Sequence, residues 1–362
     1  MKQKILQIMS VLEFLILKFL IYFLGIILLL ISTQSCIEPY RFETPEGGNR
    51  LVVDGFITTE YKSHEVLLSL STGYYDDKKF TPVLGASVRI LSDQGEVFNL
   101  NESSDGLYAT EPLTAVVGRS YKITIEMHDG KMYESGFELV IAVTPFDTIH
   151  YEYRVDEFSG SGITVFAINS EPSGVPTYLK WEYTGHQEVF FVYEDINDYD
   201  AGEIIYSCIS TETCTNCLNI SSDKFQSGSS YRQYISRIPY NATAKYIIKI
   251  DKFTLSPTVF EYFSQINRII NNSGTVFDSP PTLIRGNIVN IHDEDEIVHG
   301  YFYASDVYSK LFTVRRDNIP YPALINRLNP RPCSKDPMIC SLFPLNYPDP
   351  LPCKNEPPPY WN

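Results

Sequence analysis

Cys36 has the most defined chemistry in this sequence. It follows an apolar run from Phe19 to Ile31 and the short stretch Ser32-Thr33-Gln34-Ser35, with Lys2, Lys4 and Lys18 upstream. A basic segment, a short apolar core and a small residue such as Ser35 make up a bacterial export signal. A cysteine directly after it is the mark of a lipoprotein: cleavage before Cys36 would free an amine beside the thiol, and both would be lipidated. The competing reading is an uncleaved membrane anchor. Thirteen clean apolar residues are too few for a hydrocarbon core of about 30 Å, and Glu13 and Lys18 interrupt any longer version. Residues 1–35 are therefore expected to be a signal peptide. Two or more acyl chains, at about 0.8 kcal/mol per buried CH₂, would hold the rest of the chain on a membrane.

The other six cysteines are Cys208, Cys214, Cys217, Cys333, Cys340 and Cys353. An even number in an exported chain fits three disulfides, among about 15 possible pairings. The alternative is a zinc site built on Cys214-x-x-Cys217. It lacks a second Cys-x-x-Cys, and no histidine lies near either cluster. Disulfides are the favoured reading.

Catalytic motifs are missing from the sequence. There is no Gly-x-Ser-x-Gly elbow, since Ser159-Gly160-Ser161-Gly162 has the wrong spacing. His186-Gln187-Glu188 fails the His-Glu-x-x-His pattern at its second position. The six histidines are scattered singly, which suits structural or surface roles. Two acidic segments, residues 194–200 and 293–296, have the oxygen ligands a calcium ion takes. The first has Asp200 where an EF-hand loop needs glycine, and solvated turns are the simpler reading. No catalytic residue, metal or cofactor is assigned. The loop residues Tyr74, Tyr75, Asp76 and Asp77 are the candidate ligand contacts, because tyrosine offers a flat apolar ring with a hydroxyl. The plainer alternative is that tyrosines here line sheet faces.

Removing residues 1–35 takes away Lys2, Lys4, Lys18 and Glu13, leaving 26 basic against 43 acidic residues and a formal charge of −17. Such a surface repels phosphate backbones, so no nucleic-acid partner is expected.

The pattern of the remaining chain is mainly β. Residues 36–49 read as a tether, with Pro39, Pro45 and Gly47-Gly48. From Arg50 to Ala142 short alternating runs follow one another: Leu51–Thr58, then Val66/Leu68/Leu70, Ala86/Val88/Ile90 and Tyr121/Ile123/Ile125/Met127. Turns at Asp93-Gln94-Gly95, Ser104-Asp105-Gly106 and Asp129-Gly130 separate them. The spacing predicts an immunoglobulin-like β-sandwich over 50–142, without the Cys…Trp…Cys pattern of antibody domains. Pro145 marks a boundary. Residues 146–328 are expected to form a larger β-rich domain, with strands at 149–155, 163–168, 178–183, 189–193 and 246–250. It should hold one amphipathic helix over 256–271, capped by Ser256, with Pro257 in its first turn and Val259, Phe263, Ile266 and Ile270 as its apolar stripe. The proline-rich tail 329–362 is expected to wrap the surface, stapled by its cysteines.

Several stretches resemble a Bacteroidota lipoprotein family known as domain of unknown function 4249. They are Leu51–Thr58, Asp105-Gly106-Leu107-Tyr108, residues 178–183, and the long run from Leu255 through Tyr262 to Pro281. Arg285-Gly286-Asn287-Ile288, residues 298–305 and the closing Pro359-Tyr360-Trp361 continue it. The resemblance implies an outer-membrane lipoprotein, often encoded beside TonB-dependent receptors, and no catalytic residues. Only Glu38 stands where the family places its acidic surface-display run, so either face of the membrane stays open. The expected function is a non-catalytic accessory or ligand-binding partner of a TonB-dependent nutrient transporter, with a glycan or peptide among its ligands. The alternatives are a structural or adhesive envelope lipoprotein and, behind it, a hydrolase without a local motif.

Overall fold

The computed structural model describes residues 18–25, 49–72, 80–156, 160–172, 174, 176–194, 203–214, 218–224, 228–239, 246–271, 284–314, 353–354 and 358–360. The chain divides into a unit ending at Glu46 and one beginning at Gly47. In the first, residues 18–25 form helix α1, which carries exposed apolar side chains such as Phe19 and Leu24. Among the described residues no helix is long and apolar enough to cross a membrane.

The second unit is mainly β. Its first nine strands are β1 (Leu51–Thr58), β2 (Glu65–Leu70), β3 (Thr81–Pro82), β4 (Ser87–Ser92), β5 (Val97–Ser104), β6 (Leu107–Thr110), β7 (Ser120–Glu126), β8 (Met132–Ser135) and β9 (Glu138–Leu139). Then come β10 (Thr148–Asp156), β11 (Gly160–Ser170), β12 (Tyr178–Glu194), β13 (Glu203–Thr213), β14 (Asn219–Ser222), β15 (Ser230–Pro239) and β16 (Tyr246–Thr254). Helix α2 (Pro257–Ile270) precedes β17 (Ile288–Asn290), β18 (His299–Ser305), β19 (Val307–Val314) and β20 (Cys353–Lys354).

The first sheet runs β17-β8-β7-β4-β5-β6-β2-β1-β18, with β3 on β2 and β9 on β7. The alternation read from the sequence is the one observed: Val66, Leu68, Val88, Ile90, Ile123 and Ile125 all point into one core with Val53, Ile57 and Phe302. Period-two burial places every second side chain inside. Two of its strands come from beyond Pro145. β18 pairs in parallel with β1, from Val52↔His299 to Thr58↔Ser305, and β17 pairs with β8. The parallel pairing depends on Gly300. Its φ is +90°, and a Cβ there would lie 1.9 Å from the Val53 carbonyl oxygen, so only glycine fits.

The sheet nearly closes on itself through one side chain. Asn287, just before β17, donates from Nδ2 to the Phe302 carbonyl (2.7 Å) and accepts at Oδ1 from the Phe302 N–H (3.0 Å). It thereby supplies the donor and acceptor that a neighbouring strand would give. Its second Nδ2 hydrogen goes to Glu138 Oε1 at 3.1 Å.

The remaining strands form a three-stranded sheet, β10-β11-β15, and a six-stranded one, β19-β16-β12-β13-β20 with β14 on β12. Leu179, Trp181, Ile248 and Ile250 of the larger sheet pack on Ile163, Val165, Ala167 and Ile235 of the smaller. The expected pieces 178–183 and 189–193 are one continuous strand, β12. A single residue, Asp306, separates β18 in the first sheet from β19 in the third. Its carboxylate accepts from Thr59 Oγ1 (2.5 Å), the Val143 N–H (2.8 Å) and the Val307 N–H (2.9 Å), which fixes the corner where the chain changes sheets.

Helix α2 begins as expected. Ser256 is its N-cap, with Oγ accepting from the Val259 N–H, and Pro257 opens the first turn. It lies on the outer face of β18: Val259 is buried with Tyr301 and Tyr303, and Phe263 meets the Tyr303 ring edge-on at 5.5 Å. The far end of the stripe stays exposed, with Ile270 55% accessible.

Candidate functional site

Three groups of ionisable side chains stand out, and two are internal. Lys252 shares the inward face of β16 with Ile248 and Ile250 and is fully buried. Its Nζ donates to the Thr144 carbonyl (2.7 Å), to Asn169 Oδ1 (2.7 Å) and to the Glu171 carboxylate. Three donors meet three acceptors. Burial pulls the ammonium below the ordinary lysine range, against the pull of Glu171. A buried pair so completely satisfied holds the two sheets in register rather than doing chemistry.

The second group lies between the third sheet, α2 and the first sheet. Lys180 Nζ sits 5.3 Å from the Phe56 ring centroid, 5.7 Å from Phe253 and Phe263, and 5.8 Å from Tyr303. It also donates to the Tyr303 hydroxyl (3.1 Å) and pairs with Glu182 (2.6 Å). Burial opposes the charge, but Tyr303 and Glu182 outweigh it and keep the ammonium protonated. Such a cation–π box stabilises the junction. Nearby, Glu138 is buried and accepts from Tyr301, Asn287 and the Ser256 cap; burial raises its carboxyl above the usual range despite those donors.

The third group faces solvent. The outer face of the three-stranded sheet presents His150, Glu152 and Arg154 from β10, Phe166 from β11, and Arg232, Tyr234 and Arg237 from β15. Cross-strand register puts His150, Phe166 and Tyr234 in one row and Glu152, Thr164 and Arg237 in the next. A bulge opposite Val165/Phe166 leaves Ile235 unpaired, and this turns Arg232 and Tyr234 outward. The Arg232 guanidinium lies 4.2 Å from the Phe166 centroid and that of Arg154 5.8 Å. The Tyr234 ring stands edge-on to Phe166 at 6.2 Å. Glu152 ties the arginines together: Oε1 accepts from Arg232 Nη2 (2.6 Å), and Oε2 from Arg154 Nε (3.0 Å) and Nη2 (2.6 Å). The hydrogen bonds from Arg232 and then Arg154 lower its carboxyl to about 2. Gly162 makes room beside Arg237, whose Nε would lie 2.7 Å from a Cβ there.

This face was not among the residues singled out from sequence. Of those, Cys36, Tyr74, Tyr75, Asp76, Asp77, Cys217, Cys333 and Cys340 lie outside the described residues. Cys208 and Cys353 are described as strand backbone only, on β13 and β20, which pair through Ser210↔Cys353. Cys214 is half-buried just after β13. Residues 195–200 also lie outside the description. In the 293–296 turn, Glu296 is engaged by Lys131 (2.9 Å), Tyr133 (3.0 Å) and Asn290, so it is held by protein donors. Among the described residues no three His, Cys, Asp or Glu side chains gather as metal ligands. At the C-terminus, the Tyr360 hydroxyl meets His186 Nε2 at 2.6 Å, while His186 Nδ1 lies 3.0 Å from Thr211 Oγ1.

Among curated proteins none matches this chain. Two solved structures align over 59% of it: the Yersinia pseudotuberculosis adhesin InvE, at 16% identity over 58% of that chain, and a trypsin-activated α2-macroglobulin from Escherichia coli, at 12% identity over 15%. Their TM-scores of 0.17 and 0.18 are too low to relate the folds. The family model does match, over residues 37–311, which take in both the Gly300 and Asn287 seam and the arginine-bearing sheet: the chain belongs to the family of the domain of unknown function DUF4249.

Proposed function

We propose that this protein is a non-catalytic, lipid-anchored binding protein of the outer membrane that assists a TonB-dependent nutrient transporter. The anchor is Cys36, and residues 36–49 tether the folded body to it. One observation carries the binding role: Lys252, Lys180 and Glu138 are each engaged by internal partners, whereas the Phe166–Arg232–Tyr234 face presents rings and guanidiniums to solvent. Rigid aromatics and arginines are what recognition surfaces are enriched in. Confinement to the transporter's plane raises the effective concentration of each for the other, so contacts of modest affinity suffice. The same reading includes an immunoglobulin-like β-sandwich over residues 50–142 and a disulfide framework, the latter supported by the bonded state of Cys214. The test is genetic. A deletion strain should grow more slowly on at least one nutrient that enters through an outer-membrane transporter. Wild-type protein should restore growth and the Cys36→Ala variant should not. Unchanged growth on every such nutrient would favour a structural or adhesive role.

A further inference from the structure

We propose that the outer face of β10-β11-β15 binds a polyanionic glycan, with Arg154 and Arg232 taking its acidic groups and Tyr234 its sugar rings. The proposal rests on the binding role above and names the ligand class of that face. Charge is the first argument. Beyond residue 35 the chain carries −17, yet on this face the guanidiniums of Arg154 and Arg232 share the one carboxylate of Glu152. A local cationic field on an acidic body selects an anionic partner and steers it to one spot.

Preorganisation is the second argument. Glu152 holds both guanidiniums through Nε and Nη2 of Arg154 and Nη2 of Arg232, and their Nη1 groups have no hydrogen-bond partner among the described residues. Planar guanidiniums fixed in this way suit carboxylate or sulfate groups, at little entropic cost. The face itself argues for a glycan over a peptide. The Arg154, Phe166, Arg232 and Tyr234 side chains stand on the face of the sheet, away from the outer edges of β10 and β15 where a peptide strand would add, so recognition there uses side chains rather than backbone pairing. The half-exposed Tyr234 ring, 50% accessible, gives a sugar an apolar surface with a hydroxyl at its edge.

The test uses the full-length chain purified in detergent, titrated with labelled polygalacturonate, dextran sulfate, neutral dextran and polyglutamate. Binding of at least one anionic glycan, weakening with added salt, is expected, with none for neutral dextran. Polygalacturonate against dextran sulfate separates carboxylate from sulfate recognition. Arg232→Ala should weaken binding about tenfold, the loss of one charge-assisted contact. Tyr234→Ala should weaken it without changing the salt dependence, and thermal melts should show both variants folded. Equal affinity in Arg232→Ala, or no binding to either anionic glycan, would overturn the proposal. Tighter binding to polyglutamate would replace the glycan with an acidic protein. Transporter capture by Arg232→Ala separates the two readings: if capture persists while no glycan binds, only the ligand assignment fails, and if glycan binds but no transporter is captured, only the transporter role fails.

Discussion

Replacing Asn287 by Ala should destabilise the protein by about 3 kcal/mol. The Asn287 amide is bound at both ends to Phe302, whose side chain is completely buried. Its loss strands one N–H and one C=O at the seam of the first sheet and takes a donor from Glu138. An unsatisfied buried backbone group costs roughly 1–3 kcal/mol. Asn287 is itself half-exposed, so water can partly replace it and the lower half of that range applies to each group. At about 2 °C per kcal/mol for a chain of this size, the melting temperature should fall by about 6 °C. Asn287→Asp is the informative companion. It keeps the acceptor for the Phe302 N–H but loses both donors and faces Glu138 with a second carboxyl. Its loss at neutral pH should match that of Ala and shrink in acid, where a protonated Asp can donate. A change within about 0.5 kcal/mol for Asn287→Ala, the range of an ordinary surface substitution, would refute the claim that this side chain closes the sheet.

Lys252→Met should cost about 3–5 kcal/mol in urea unfolding, because Glu171 is left buried and uncompensated; adding Glu171→Leu should recover most of it, and no recovery would mean the pair is not the cause. Glu138 sets a pH dependence. Its folded-state pKa is raised by burial, so its stabilising contribution is full below its unfolded value of about 4.5 and is lost as pH climbs through the folded value. The unfolding free energy of wild type relative to Glu138→Gln should therefore decline with rising pH across that window; an increase would contradict the assignment.

The alternating runs of the first sheet were legible because one face of each strand is core and the other is water. Val66, Leu68, Val88 and Ile90 carry that pattern without help from distant residues. The helix was legible for a similar reason, since Ser256, Pro257 and the stripe from Val259 are local signals. What the sequence hides is pairing between distant segments. β18 reads as a run of aromatics, and nothing near it says that it lies parallel to β1, more than two hundred residues earlier. β15 also escapes notice: Ser230–Pro239 mixes Arg232, Gln233 and Arg237 among its aromatics, and its bulge breaks the alternation. The candidate face was missed with it, because Arg154, Phe166 and Arg232 come together only across three strands. The Asn287 clasp falls within a motif recognised by resemblance, but its role depends on the fold.

The claim of an anchored accessory is tested most directly by affinity capture from solubilised outer membranes, using the tagged full-length chain and its Cys36→Ala variant, with the recovered proteins quantified by mass spectrometry. The account predicts that wild-type protein recovers a TonB-dependent transporter well above an untagged control, and that recovery falls sharply for Cys36→Ala. Recovery of no such transporter with the anchored wild-type protein would contradict it.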